Sequence, residues 1–291
     1  MTNAICHNCN ACRSKIFYRV PQSDAKYIQC RECGLIYVDP FPQVSTLKTH
    51  YDTVYYPALY QGRGGKASWG AFWYRVPYFD RFFPKPGKLL EVGAGGGDFL
   101  ALMRERGWGV TGVEISQHAV DAARTNFNLE LVCGTIDDIP KPLELFDAIA
   151  FYHVLEHVSD PNDVLKKARS LLKPNGYLII ELPHPTGVDA HISKELLSSI
   201  VDWPNHLYLF PPRTARMMLR AAGFHIALFD PSFSFVLFKL LRRSKSPLAS
   251  MADETHGDAA SFHLQGHWLR TLAKRIAPGM KFTIIAQKIN E

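Results

Sequence analysis

Four thiols fall in two matched pairs near the start of the chain. They are Cys6-His7-Asn8-Cys9 and, twenty residues on, Cys30-Arg31-Glu32-Cys33. Paired thiolates at C-x-x-C spacing fold a knuckle around one side of a tetrahedral ion, and two knuckles close a four-thiolate site. Cys12 competes with Cys6 as a partner for Cys9, but identical spacing in both halves favours Cys6 and Cys9. The expectation is one structural zinc held by Cys6, Cys9, Cys30 and Cys33, with His7 exposed rather than ligating. A module of about 40 residues cannot bury enough apolar surface to hold itself, so the ion would supply the missing stability.

The second constellation is Leu89-Leu90-Glu91-Val92-Gly93-Ala94-Gly95-Gly96-Gly97-Asp98, an apolar run passing into glycines. Glycines at a strand-to-helix turn let the backbone approach a ligand. Glu114 ends the next apolar run, nineteen residues after Gly95, where a carboxylate suits the two hydroxyls of a ribose. Asp98 stands where the nicotinamide-type G-x-G-x-x-G would have its third glycine. A carboxylate two residues before the loop is badly placed for a pyrophosphate and well placed for a cation. S-adenosylmethionine carries an ammonium and a sulfonium and no phosphate.

Alternating elements must position these residues. The pattern predicts strands over 88–92, 109–115, 129–133, 146–152, 177–182, 224–230 and 281–289. Helices are predicted over 98–106, 117–126, 161–172 and 212–222, with Asp160 capping the third, Pro161 in its first turn and Lys173–Gly176 stopping it. Short strands over 26–29 and 35–38 flank the second knuckle. The organisation reads as a zinc-ribbon module over 1–40, an aromatic bridge or lid over 41–86, and an α/β domain over 87–291 with a variable insertion at 231–280. Within the bridge, a loop at Gly62–Gly65 and a helix over 67–83 are expected, and Tyr55, Tyr56 or Tyr60 could line a pocket. The fold class is α/β, a doubly wound, seven-stranded, mostly parallel sheet with helices on both faces.

At this point the chain resembles the class I S-adenosylmethionine-dependent methyltransferases, over roughly 85–230. The resemblance rests on Leu90–Gly97, Gly112–Ser116, Gly134–Pro140, Phe146–Ile149, His153–Pro161 and Leu171–Gly176, in that order. It implies that Glu91 and the backbone of Gly93, Gly95 and Gly97 hold the methionine part and that Glu114, with Ile115 beside it, holds the ribose. Asp137 would bond the adenine amino group; on the residues alone, Asp137 or Asp138 could equally cap a turn. Cys30–Pro42, Trp203–Phe210 and Leu219–Phe224 resemble a subfamily with an N-terminal zinc ribbon, similar to the ubiquinone and sugar methyltransferase group. In ubiquinone-type enzymes the turn at 153–157 carries Glu, Glu and His around a divalent ion. Here His153 takes the first position, which suits magnesium poorly.

Methyl transfer needs alignment and, for a hydroxyl acceptor, a proton acceptor. His153 and His157 follow the fourth strand, and His206 lies on a segment expected to fold over the pocket. These three are the candidate bases, with structural roles as the competing reading. His184 and His191 could line the acceptor side. The acceptor is expected to be a small molecule, sugar or glycan precursor. Alternatives are an RNA methyltransferase with the ribbon as RNA-binding module, or a non-catalytic binder that senses the cofactor. The chain has 291 residues, 47% hydrophobic and 21% charged, which argues a globular protein; its net charge of +6 is a weak hint of an anionic partner, but the basic residues are scattered and 1–40 has no Lys/Arg run interleaved with aromatics. No apolar run reaches the ~18 residues that span a bilayer. The start MTNAICHNCN shows no signal-peptide pattern, so a cytoplasmic location with reduced thiols is expected. The apolar-then-basic stretch 233–243 could pack across the pocket or touch a membrane surface.

Overall fold

In the computed structural model, residues 5–42, 72–139, 144–234, 237, 274 and 276–290 are described. Tyr55, Tyr56, Tyr60, the loop at Gly62–Gly65, residues 67–71 of the expected helix and most of 233–280 therefore lie outside the described residues.

The larger sheet is built from β4 (Lys88–Val92), β5 (Gly109–Glu114), β6 (Val132–Cys133), β7 (Phe146–Tyr152), β8 (Leu172–Pro183), β10 (Phe224–Phe233) and β11 (Pro278–Lys288). Its order is β10-β11-β8-β7-β4-β5-β6 among the described residues. Every pairing from β6 through β8 is parallel, and β11 runs antiparallel to both its neighbours. This is the seven-stranded, mostly parallel arrangement expected of the sequence.

Strand alternation divides the core. Leu90, Val92, Ile149, Phe151, Leu178 and Ile180 face one side, under α4 (Pro161–Leu171) and α7 (Pro212–Ala221). Leu89, Ala148, Ala150, Tyr152 and Ile179 face the other, under α1 (Val76–Phe82), α2 (Asp98–Glu105) and α3 (Gln117–Phe127). Because both faces are covered, these strands read as continuous apolar runs. Each fully buried Leu, Ile or Phe contributes roughly 1.5–3 kcal/mol of transfer free energy.

Helix starts follow their caps. The Asp160 side chain accepts from the backbone N–H of Asn162 and Asp163, with Pro161 in the first turn. Ser116 accepts from Ala119 N–H at the start of α3, which ends on the left-handed Asn128. Several boundaries differ from expectation. Helix α4 stops at Leu171, next to the expected end, but 172–176 already belongs to β8, since Leu172 pairs with Phe146. Only Val132 and Cys133 of 129–133 pair at the sheet edge. The expected strand at 224–230 runs on to Phe233 because Phe233 pairs with Pro278. Helices α5 (Val188–Ile192) and α6 (Lys194–Val201) had no counterpart in the sequence reading.

The smaller sheet has the order β1-β2-β3-β9. It comprises β1 (Ser14–Arg19), β2 (Lys26–Cys30), β3 (Ile36–Asp39) and β9 (Tyr208–Leu209), all antiparallel. Its fourth strand comes from the larger domain, between α6 and α7. The ribbon residues Tyr27, Ile28, Ile36 and Val38 share a core with α4 and α7 rather than forming their own.

Candidate functional site

The glycine loop joins β4 to α2 at the carboxyl ends of the parallel strands, where open α/β sheets bind ligands. Gly93 sits at φ +68°, and a Cβ there would meet Val154 Cγ2 at 2.6 Å, so only glycine fits. Gly97 caps α2 at φ +79°, with Ala123 Cβ 3.0 Å from a would-be Cβ. Gly95, also left-handed, donates its N–H to Glu114 Oε2 at 2.9 Å. Ser116 N–H donates to Glu114 Oε1 at 3.0 Å. The loop thus clamps the buried Glu114 carboxylate at the end of β5, and a carboxylate offers about four acceptor sites in all.

Glu91 is 3% exposed, and its Oε2 has no hydrogen-bond partner among the described residues. Burial, partly offset by Arg75 and reinforced by Asp98 and Glu114, pushes its carboxyl up to about 8. A buried acid lacking a donor fits a ligand that brings a cation. Ile115, next to Glu114, is half-buried. At Thr135–Asp138 a capping box forms, with the Asp138 carboxylate accepting from Thr135 N–H at 2.8 Å. Asp138 is therefore a cap, while the Asp137 side chain is exposed, 3.8 Å from Lys167.

The ends of β7, β8 and β11 carry a cluster that sequence reasoning missed. Glu181 Oε1 receives Tyr74 Oη at 2.7 Å, His153 Nε2 at 3.2 Å, Lys281 Nζ at 3.4 Å and Arg75 Nη2 at 3.5 Å. The Arg75 guanidinium lies 3.6 Å from the centroid of the Tyr152 ring. Burial opposes charge on Glu181, but Lys281, His153 and Arg75 hold it well below the usual carboxylate range. A lone acid in the apolar run Tyr177–Pro183 was the available signal.

His153, in the left-handed region at φ 57°, bridges two carboxylates: Nε2 faces Glu181 and Nδ1 faces Glu156 Oε1 at 3.2 Å. Both nitrogens can donate only in the imidazolium. Burial disfavours that charge, yet the two carboxylates hold the pKa at about 9. This geometry argues against His153 as a general base near neutral pH. His157 differs. Burial, only partly offset by Glu156, lowers it to about 4. Its Nδ1 lies 2.8 Å from the Asn205 carbonyl, which can only accept, so the proton sits on Nδ1 and Nε2 carries the lone pair. His206 Nδ1 likewise lies 2.7 Å from a carbonyl, that of Ile200, with the ring buried, but its Nε2 lies 3.8 Å from Asp202 Oδ2. The two rings lie edge to face at 4.8 Å. Glu156, His157 and His206 place ligand atoms within 4.8 Å of one another, and the fully buried Glu156 Oε2 has no hydrogen-bond partner among the described residues. The three could hold a divalent ion, with His206 rather than residue 153 completing the set. His184 is buried and lowered to about 4, chiefly by burial. His191 Nδ1 lies 2.8 Å from the Gly187 carbonyl.

Cys6, Cys9, Cys30 and Cys33 converge, with Cys6–Cys33 and Cys9–Cys30 sulfurs each 3.5 Å apart and all four within 4.8 Å. A tetrahedral ion with Zn–S ≈ 2.3 Å requires sulfur–sulfur edges of about 3.8 Å, so the set can hold a metal ion. Cys12 is exposed and outside the cluster. His7 is exposed and outside the thiolate set, as expected, with one side of its ring packed against Tyr37, Phe41 and Tyr208.

Residues 75–228 match the model of a methyltransferase domain family. The chain belongs to that family. This methyltransferase domain is 34% identical over 110 residues to a ubiquinone biosynthesis O-methyltransferase of Coxiella burnetii, covering 36% of this chain and 47% of the relative. It is 27% identical over 167 residues to the Xylella fastidiosa enzyme of the same description, covering 52% and 67%. The chain thus spans about half the length of the first curated relative. In fold it is similar to a SAM-dependent methyltransferase from Archaeoglobus fulgidus, with a TM-score of 0.55 at 20% identity over 81% of this chain and all of that one. It is also similar to the magnesium protoporphyrin IX methyltransferase of Synechocystis, with a TM-score of 0.54 at 12% identity over 85% and 100%.

Proposed function

We propose that this domain transfers the methyl group of S-adenosylmethionine to a small-molecule or saccharide acceptor. The observation that carries the reading is the partnerless, buried Glu91 carboxyl oxygen beside a glycine loop that also clamps Glu114. Glu91 and the backbone of Gly93, Gly95 and Gly97 would hold the ammonium end, with Arg75 beside Glu91 for the methionine carboxylate. Glu114 would take the ribose hydroxyls, Ile115 would flank the adenosine, and Asp137 would reach the adenine amino group. When bound, the sulfonium supplies an electrophilic methyl group and leaves as a neutral thioether. The chain's own residues align the acceptor and take its proton. Neutral His157, locked in one tautomer, is the favoured base; His206 is second. His153 acts as a fixed cation that orders Glu156 and Glu181. The relatives' description as O-methyltransferases supports a hydroxyl acceptor. Zinc at Cys6, Cys9, Cys30 and Cys33 would be structural, because four thiolates leave no open position.

The ribbon's β3 edge is paired with β9, and Thr214 Oγ1 donates to the Cys33 carbonyl at 2.9 Å. Both contacts support a ribbon built into the transferase over one that displays an RNA-binding surface. No helix among the described residues is long and apolar enough to cross a membrane. Titration calorimetry with S-adenosylmethionine and separately with a nicotinamide dinucleotide tests the reading. Tight binding of the dinucleotide instead of S-adenosylmethionine would overturn it.

A further inference from the structure

The first knuckle is small and mostly exposed, with Cys6 buried and His7, Cys9 and Asn10 exposed. Ile5 is exposed, and the backbone bonds within reach are Cys6 N–H to Ala11 O and Asn10 N–H to Cys6 O, both 2.9 Å. Yet the knuckle's two central side chains reach the transferase. Tyr208 Oη donates to the Ser159 carbonyl at 2.9 Å. Its one proton is then committed, so His7 Nδ1, 2.8 Å away, must donate to the Tyr208 oxygen. Asn162 Nδ2 donates to Asn8 Oδ1 at 3.3 Å.

Tyr208 is also part of the shared sheet. It pairs with Tyr37, and the N–H groups of Leu207 and Tyr208 both donate to the Glu156 carbonyl, at 2.7 and 3.1 Å. Val38 N–H donates to the Leu207 carbonyl at 3.0 Å, and Tyr27 Oη donates to the His206 carbonyl with the Val201 carbonyl 3.2 Å away. The turn that bears His153, Glu156 and His157 is thus gripped at Glu156, Ser159 and Asn162 by β9 and by the ribbon. The glycine loop and Glu114 sit at β4 and β5, whose pairing partners are β6 and β7.

We propose that His7, Asn8 and Tyr208 are positioning residues through which an ion in the four-cysteine ribbon holds the acceptor-side turn at 153–160 and the strap at 202–209, independently of the cofactor half. The proposal rests on metal occupancy of the cysteine cluster. Coupling of this kind travels through a contiguous hydrogen-bonded network whose end is fixed or released as a unit. With the ion bound, the knuckle presents His7 and Asn8 in one geometry. Without it, the pair Cys6–Cys9 is free to open, and Tyr208 loses one of its two hydroxyl partners.

The test is amide hydrogen exchange of the full chain with its ion, after chelation, and in Cys9→Ser and Tyr208→Phe. Metal content and S-adenosylhomocysteine affinity are measured on the same samples. Chelation and Cys9→Ser should raise exchange over 153–160 and 202–209 by about tenfold or more, leave 88–115 protected, and change S-adenosylhomocysteine affinity by less than about twofold. Tyr208→Phe keeps the ring and the ion but cuts the hydroxyl link, and should loosen the same two segments with metal content intact. Unchanged exchange there after ion loss overturns the proposal. So does exchange that rises everywhere with loss of S-adenosylhomocysteine binding. A parent protein that takes up no metal refutes the occupancy on which the proposal rests, whereas absent S-adenosylhomocysteine binding in an ion-loaded parent would refute the methyl-transfer reading.

Discussion

Binding of S-adenosylmethionine should release a proton, and Glu91 should be its source. At a pKa of about 8 the Glu91 carboxyl is about nine-tenths protonated at pH 7. An incoming ammonium favours the carboxylate and returns the group toward its ordinary range. About 0.9 proton should leave per cofactor bound at pH 7. Calorimetric titrations in buffers of different ionisation enthalpy read this number directly. Deprotonating Glu91 at pH 7 costs about 1.4 kcal/mol, against the ~1.5–3 kcal/mol of a charged hydrogen bond. The affinity deficit of Glu91→Gln should therefore be within about 15-fold at pH 7 and widen to about 10- to 150-fold at pH 8.5. The variant should release no proton. The sign also applies to the unliganded protein. Between the unfolded carboxylate range and about 8 the folded form binds the extra proton, so this group's stabilising contribution falls as pH rises through that window. Proton release near zero in the parent, or release equal in parent and Glu91→Gln, would refute the placement of the ammonium.

Glu114→Ala should weaken S-adenosylmethionine binding by ~1.5–3 kcal/mol in calorimetry; unchanged affinity in a folded variant would remove Glu114 from the ribose role. Zinc analysis should give about one equivalent at the four thiolates, lost in Cys30→Ser and kept in Cys12→Ser. His153, raised to about 9, contributes stability that is fully present below its unfolded value of 6.5 and is lost as pH rises through about 9. The parent's melting temperature should accordingly fall more between pH 6.5 and 9.5 than that of His153→Gln, and parallel curves would count against the paired imidazolium. If the acceptor is a hydroxyl, His157→Gln should lose about 10²-fold or more in turnover with cofactor affinity nearly intact, and a parent-like rate would exclude it as base.

The parts of the fold that showed in the sequence are those whose pattern is local. Lys88–Val92 and Phe146–Tyr152 match the expected strands because both faces are buried and the runs are mostly apolar, Lys88, Glu91 and Asp147 apart. Asp160 and Pro161 announce α4 by chemistry that acts within four residues. Strand β9 has two residues and no periodicity, and its partner Ile36–Tyr37 lies some 170 positions away, so the shared sheet left no local trace. The cysteines were legible because ligand spacing is itself a short-range constraint. The Glu181 cluster was not, because Tyr74, Arg75 and Lys281 look like surface residues until the sheet order brings β11 beside β8. His153 and His157 lie on one turn as expected, but their opposite electrostatics depend on the Glu181 and Glu156 carboxylates at His153 and on the burial of His157, which only the tertiary structure supplies.

The central claim is methyl transfer from S-adenosylmethionine to a small acceptor. It is tested most directly by incubating the ion-loaded protein with methyl-labelled S-adenosylmethionine and a metabolite extract, followed by mass spectrometry. The account expects S-adenosylhomocysteine to form in step with one small molecule that gains a single labelled methyl group. Label appearing in the RNA fraction instead, or cofactor that binds yet passes its methyl to no extract component, would contradict it.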